Sequence, residues 1–109
     1  MTEPVNLERL ALAALIAEWA RAVDRIERGD VTVRDGVPDY LDELAVRHEI
    51  SRRIRARPVT ADTRETMAEL DDIYRGATVQ SAECVPGIHD AAAQGWTAAR
   101  EWYYWRRPR

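Results

Sequence analysis

The sequence contains no lysine and no phenylalanine, a single cysteine (Cys84) and two histidines (His48 and His89). One cysteine excludes an internal disulfide and a cysteine-built zinc site, and its residue class is most often small and buried. Two histidines 41 residues apart, neither with a Glu three residues before it, exclude the helical zinc motif and the paired Glu-x-x-His pattern of di-iron bundles. No metal or cofactor is expected. The longest apolar run, Leu10 to Ala17, is eight residues, far short of a membrane span. With acids before Arg9 there is no basic n-region, so no signal peptide is predicted and the expected location is cytoplasmic.

What is present is ordinary in amount and uneven in placement. The 109 residues are 46% apolar and 32% charged, which predicts one folded domain over 1–109 and excludes a disordered chain. All sixteen basic residues are Arg, and the net charge of −3 conceals alternating blocks. Residues 1–46 sum to −5, 47–57 to +4, 58–90 to −5 and 91–109 to +3. The overall acidic balance argues against a nucleic-acid binder, while local Arg clusters remain able to touch phosphate.

Five of the eight aromatic residues, Trp96, Trp102, Tyr103, Tyr104 and Trp105, fall within the last fourteen positions. A segment carrying that much ring area must either fold back as the lid of the core or offer itself to a partner.

Hydrophobic periodicity predicts three to four helices. The first spans 6–28, with Asn6 as N-cap and Gly29 as its stop, and a stripe through Leu12, Leu15, Ile16, Trp19, Ala22, Val23 and Ile26. The second runs from Pro38 to Arg57, ahead of Pro58; its wide apolar arc through Tyr40, Leu44, Val46, Ile50 and Ile54 makes it the candidate central helix. The third begins with Asp62 as N-cap and Glu65 in a near capping box, buries Met67, Leu70, Ile73 and Tyr74, and ends near Gly76. Thr78 to Cys84 is read as a further short helix. The fourth begins near Ile88 and is clear through Ala93; past Gly95 it either continues to Trp105, with Ala91, Ala92, Gly95 and Ala99 along its apolar face, or stops near Gln94 and leaves an extended aromatic tail, the reading favoured. Asp30 to Val37 alternates like a strand before an Asp-Gly turn, and 31–34 is expected to pair with the C-terminal aromatic segment in a short two-stranded element. The fold class is therefore a mainly α small domain.

Three stretches, Tyr40–Arg47, Asp71–Thr78 and the Trp-Tyr-Tyr-Trp-Arg-Arg-Pro end, resemble a group of small uncharacterised proteins of high-GC Gram-positive bacteria, across about half of the chain. The resemblance implies a mostly helical domain with a Trp/Tyr-rich end and brings no activity with it.

Candidate sites are few. Asp62, Glu65, Glu69 and Asp72 form an acidic ridge at helical spacing, and Tyr104, Arg106, Arg107 and Arg109 are the tail residues suited to a partner. These point to a non-enzymatic protein–protein interaction module in a hetero- or homo-oligomer, in its concrete form an immunity- or antitoxin-like protein masking a basic partner surface. The alternative is a nucleic-acid-binding or regulatory protein using Arg47–Arg57 and the aromatic–Arg tail. Third is a small enzyme centred on Cys84 and His89, with Asp90 as orienter.

Overall fold

The structure, a computed structural model, describes Leu7 and residues 10–109, apart from the side chains of Ile88 and His89. Among these residues the predicted mainly α domain is observed: four helices, two antiparallel two-stranded sheets and a terminal 3₁₀ turn.

Helix α1 (Leu12–Glu27) buries the face its periodicity marks, Leu15, Trp19, Ala22, Val23 and Ile26. Its predicted N-cap, Asn6, lies outside the described residues. The helix starts later than expected because Leu10 N–H closes a turn onto the Leu7 carbonyl and Ala11 is extended. At the other end Gly29, at φ 76°, donates to Ile26 O, and Asp30 N–H returns to Arg25 O. That pair of bonds is a Schellman closure, which only a left-handed residue permits at low cost.

The strand after α1 does not reach the tail. Val33–Arg34 (β1) pairs with Val37–Pro38 (β2), Val33 opposite Pro38 and Arg34 opposite Val37. The intervening Asp35 and Gly36 both have positive φ, 53° and 77°. A two-residue loop of that hand returns the chain on itself, so the strand satisfies its backbone locally. Arg25 of α1 fastens the hairpin, donating to Asp30 O and to Asp39 Oδ2, which also accepts from Thr32 N–H.

Helix α2 (Leu41–Ala56) starts after Pro38, which is spent in β2, and stops where Arg57 becomes extended before Pro58. Helix α3 (Ala61–Ala77) is capped by Thr60, whose hydroxyl accepts from Thr63 N–H at 3.1 Å; Asp62 is therefore in the first turn rather than at the cap. The central helix is α1, not α2. It packs closely against both α2 and α3. α1 and α3 run in the same direction, with Leu12 and Ile16 beside Asp62 and Thr66 at one end and Ile26 beside Ile73 and Ala77 at the other.

Residues 78–84 are not helical. Thr78–Gln80 (β3) is a strand, and its partner is the C-terminal segment Arg106–Pro108 (β4): Thr78 faces Pro108, Val79 faces Arg107 and Gln80 faces Arg106. The β-branched Thr78 and Val79 favour this extended backbone. Helix α4 (Ile88–Gln94) ends at Gly95, whose φ of 71° is left-handed, and does not continue to Trp105. The aromatic run Trp102–Trp105 is a 3₁₀ turn and not a strand; only the Arg-Arg-Pro after it is extended.

This geometry carries Tyr103 and Tyr104 into the core with Trp19, Tyr40 and Tyr74. Tyr74 OH donates to Tyr103 O at 2.9 Å, Trp19 lies 5.1 Å from Tyr74 between ring centroids, and Tyr104 stacks on Trp96 at 4.2 Å. The tail is the lid of the core. The bond that ties the tail to Tyr74 spans 29 residues of sequence, a separation that local propensity does not register.

Candidate interaction surface

An exposed carboxylate row is meaningful only if the chain has not already matched it with its own cations. Asp62, Glu65, Glu69 and Asp72 are all exposed on α3. Asp72 makes one long contact, 3.4 Å to Arg75. The other three have no ion-pair partner among the described residues. The opposite face of the same helix sends Met67 and Tyr74 into the core, so the ridge has a rigid backing.

The tail arginines are used differently. The last four carbonyls of a helix have no intrahelical partner, and at the end of α3 each of them is met. Thr78 Oγ1 donates to Tyr74 O at 2.7 Å; Thr78 N–H and Arg106 Nη2 donate to Arg75 O; Arg109 Nε donates to Gly76 O at 2.8 Å; Arg109 N–H reaches Ala77 O. Arg106 also donates to the hydroxyl and carbonyl of Thr78. Three cationic and hydroxyl side chains thus cap the negative end of the α3 dipole. Arg107 holds Ser81 and Glu83. Tyr104, chosen from sequence as a partner contact, is 4% exposed and so is no part of a surface. Its ring area is worth more in the core than in water.

The Arg47–Arg57 tract is likewise dispersed. Arg47 is buried, donating through Nε and Nη2 to the two oxygens of Asp71 at 3.0 and 2.8 Å and through Nη1 to Ser51 Oγ. Its guanidinium lies 5.0 Å from the Tyr103 ring centroid and 5.8 Å from that of Trp102. Asp71 takes a third bond, from Trp19 Nε1 at 3.2 Å. This Trp19–Asp71–Arg47 knot joins α1, α2, α3 and the tail, and a bidentate pair of this kind needs its extra hydrogen bonds to offset desolvation. Arg52 and Arg53 clasp Glu49, whose carboxyl is held below the usual range first by the Arg52 hydrogen bond and then, against the opposing effect of burial, by Arg53. Arg53 further donates to the carbonyls of Leu7 and Leu10. Arg55 and Arg57 remain exposed.

Sequence reading missed the Asp71–Arg47 pair. The signal was available: Asp71 lies three residues before Tyr74 and four after Met67, on the stripe that is buried. Sequence reading also missed Glu101, 1% exposed, with one oxygen on Arg100 Nε at 3.0 Å and the other without a hydrogen-bond partner among the described residues.

Cys84 is buried at 4% exposure, and burial pushes its thiol upward, partly opposed by Gly87. An activated nucleophile needs the reverse shift. The His89 side chain lies outside the described residues, so its proposed pairing with Cys84 does too. No group of three or more His, Cys, Asp or Glu among the described residues is arranged to hold a metal ion. No described helix is long and apolar enough to cross a membrane.

His48 is held between aromatic rings, Nδ1 at 2.9 Å from Tyr103 OH and its ring 5.5 Å from Trp96 and 5.7 Å from Tyr104. Burial lowers its pKa, with Arg55 acting the same way and Glu101 and Glu49 opposing. The unfolded chain therefore takes up a proton at His48 as pH falls through about 6.5, before the folded protein does. Stability attributable to this residue is full above that pH and declines below it. Thermal melts between pH 8 and 5 are expected to show a Tm that falls with acidity and is flatter in a His48→Phe variant. Parallel curves for the two proteins would refute the assignment.

Compared with protein families, curated proteins and solved structures, the chain matches none of them.

Proposed function

We propose that the chain is a non-enzymatic interaction module whose acidic α3 face binds a basic protein partner, in the manner of an immunity or antitoxin protein that masks a basic surface. One observation carries this reading. The arginines at the tail and at Arg47, Arg52 and Arg53 are occupied by the chain's own carboxylates and carbonyls, whereas Asp62, Glu65 and Glu69 are left exposed and unpaired among the described residues. Unmatched charge of one sign on a rigid helix steers an oppositely charged partner and sets its orientation.

The nucleic-acid alternative loses most of its cations to these internal contacts and keeps Arg55, in the last turn of α2, and Arg57 just beyond it as exposed cations. A gel shift at two salt concentrations separates the two readings. For the preferred one, candidate basic partners are measured against the wild type and an Asp62→Asn/Glu65→Gln/Glu69→Gln/Asp72→Asn variant. Binding should weaken by about tenfold or more and lose most of its salt dependence, with Tm unchanged because all four side chains are exposed. Equal affinity for both proteins would sink the reading.

A further inference from the structure

A groove of about 530 Å³ opens where the C-terminal ends of α1 and α3 meet the hairpin and β4. Its apolar walls are Ile26, Val31, Val33, Ile73, Ala77 and Pro108. Ile73, assigned from sequence to the buried stripe of the third helix, is instead 37% exposed, and Val33 is 51% exposed. These are two of the four large apolar side chains that the described surface exposes, and they converge on one cavity. The volume falls within the roughly 300–1,000 Å³ typical of sites that enclose a ligand or an anchoring side chain.

The groove is continuous with the acidic ridge. Glu69 precedes Ile73 by one turn of α3 and Asp72 precedes Gly76 by the same step, so these carboxylates neighbour the groove wall. Across the cavity Glu27 sits in the last turn of α1, where the helix dipole disfavours a carboxylate, and it has no cation partner among the described residues. The one cation in the lining, Arg109, is turned to the Gly76 carbonyl.

From this arrangement we infer that the groove receives the apolar anchor of a basic amphipathic segment of a partner protein, with the segment's Arg or Lys residues set against Glu27, Glu69 and Asp72. This rests on the acidic-face reading above and adds to it the class of partner segment and the place where specificity is exerted. The charges bring a basic chain to the ridge, and the cavity selects chains whose cations flank aliphatic side chains.

The test uses fluorescein-labelled peptides with the full-length protein in anisotropy titrations. One peptide places two Leu residues a helical turn apart among Arg and Ala; its match has both Leu replaced by Ser. The Leu peptide should bind at least about tenfold more tightly. That preference should vanish in Ile73→Ser, which alters an exposed residue and should leave Tm intact, while affinity for the Ser peptide stays the same. Glu65→Gln/Glu69→Gln should weaken both peptides. Equal binding of the two peptides by the wild type overturns the groove and leaves the acidic face standing. A Leu preference that survives Ile73→Ser also overturns it. Leu-dependent binding indifferent to Glu65→Gln/Glu69→Gln retains the groove and overturns the acidic reading. Binding of neither peptide overturns both. A concentration-dependent dimer abolished by Ile73→Ser overturns the groove proposal, because it assigns the cavity to a second copy of this chain.

Discussion

Asp71→Ala is expected to destabilise the protein by about 3–5 kcal/mol, because it strips the counterion from a guanidinium that is almost wholly buried. Arg47 and Asp71 side chains are 9% and 11% exposed, and the Asp accepts from Arg47 and Trp19 together. Its loss orphans a charge and an indole N–H in one step. Set against the roughly 5–15 kcal/mol of an ordinary domain, this is a large share of the total. The companion experiment replaces both partners, Arg47→Met with Asp71→Leu. That protein should recover much of the loss, since an apolar pair of similar volume removes the buried charges instead of stranding one. Urea denaturation of the three proteins measures the difference. A loss under about 1 kcal/mol in Asp71→Ala would show that the pair is solvated in solution.

The second large effect concerns the tail. Ending the chain at Trp105 removes the β4 ladder and the Arg106 and Arg109 bonds to the end of α3, and should cost about 2–4 kcal/mol, a few net hydrogen bonds. Ending it at Glu101 also removes Tyr103 and Tyr104, buried at 0% and 4% exposure. Truncating one such ring costs about 3–5 kcal/mol by itself, so this shorter chain should have no cooperative transition. Circular dichroism with urea titration distinguishes the two. If the tail served partners and not the core, both chains would unfold at the wild-type midpoint.

Helix existence was legible because it depends on local spacing: the stripe from Leu15 to Ile26 is where the pattern puts it. Pairing was less legible, because it depends on what lies opposite. Nothing near Thr78 announces that Arg106 to Pro108 will come beside it, and the Asp35-Gly36 turn signal closes β1 onto β2 rather than leaving it free for the tail. The acidic ridge was readable for the same reason as the helices, being a periodic feature of one element. The arginines were not, since a guanidinium near a binding-like aromatic cluster has the same sequence signature whether it faces a partner or a helix C-terminus. Arg106 and Arg109 chose the helix because four carbonyls there need donors.

That choice bears on synthesis. Helices α1, α2 and α3 leave the ribosome well before residues 102–109, which carry the rings that complete the core and the donors that close α3. At about 5–20 residues per second, the interval lasts a few seconds. Throughout it Tyr74 lacks the carbonyl it bonds in the finished protein, and the tail's share of the core around Trp19 and Tyr40 is missing. The nascent chain should therefore be most vulnerable to aggregation and proteolysis just before the aromatic turn emerges, and a pulse of protease on ribosome-bound chains with and without residues 102–109, each followed by a linker long enough to clear the ribosome, would test this.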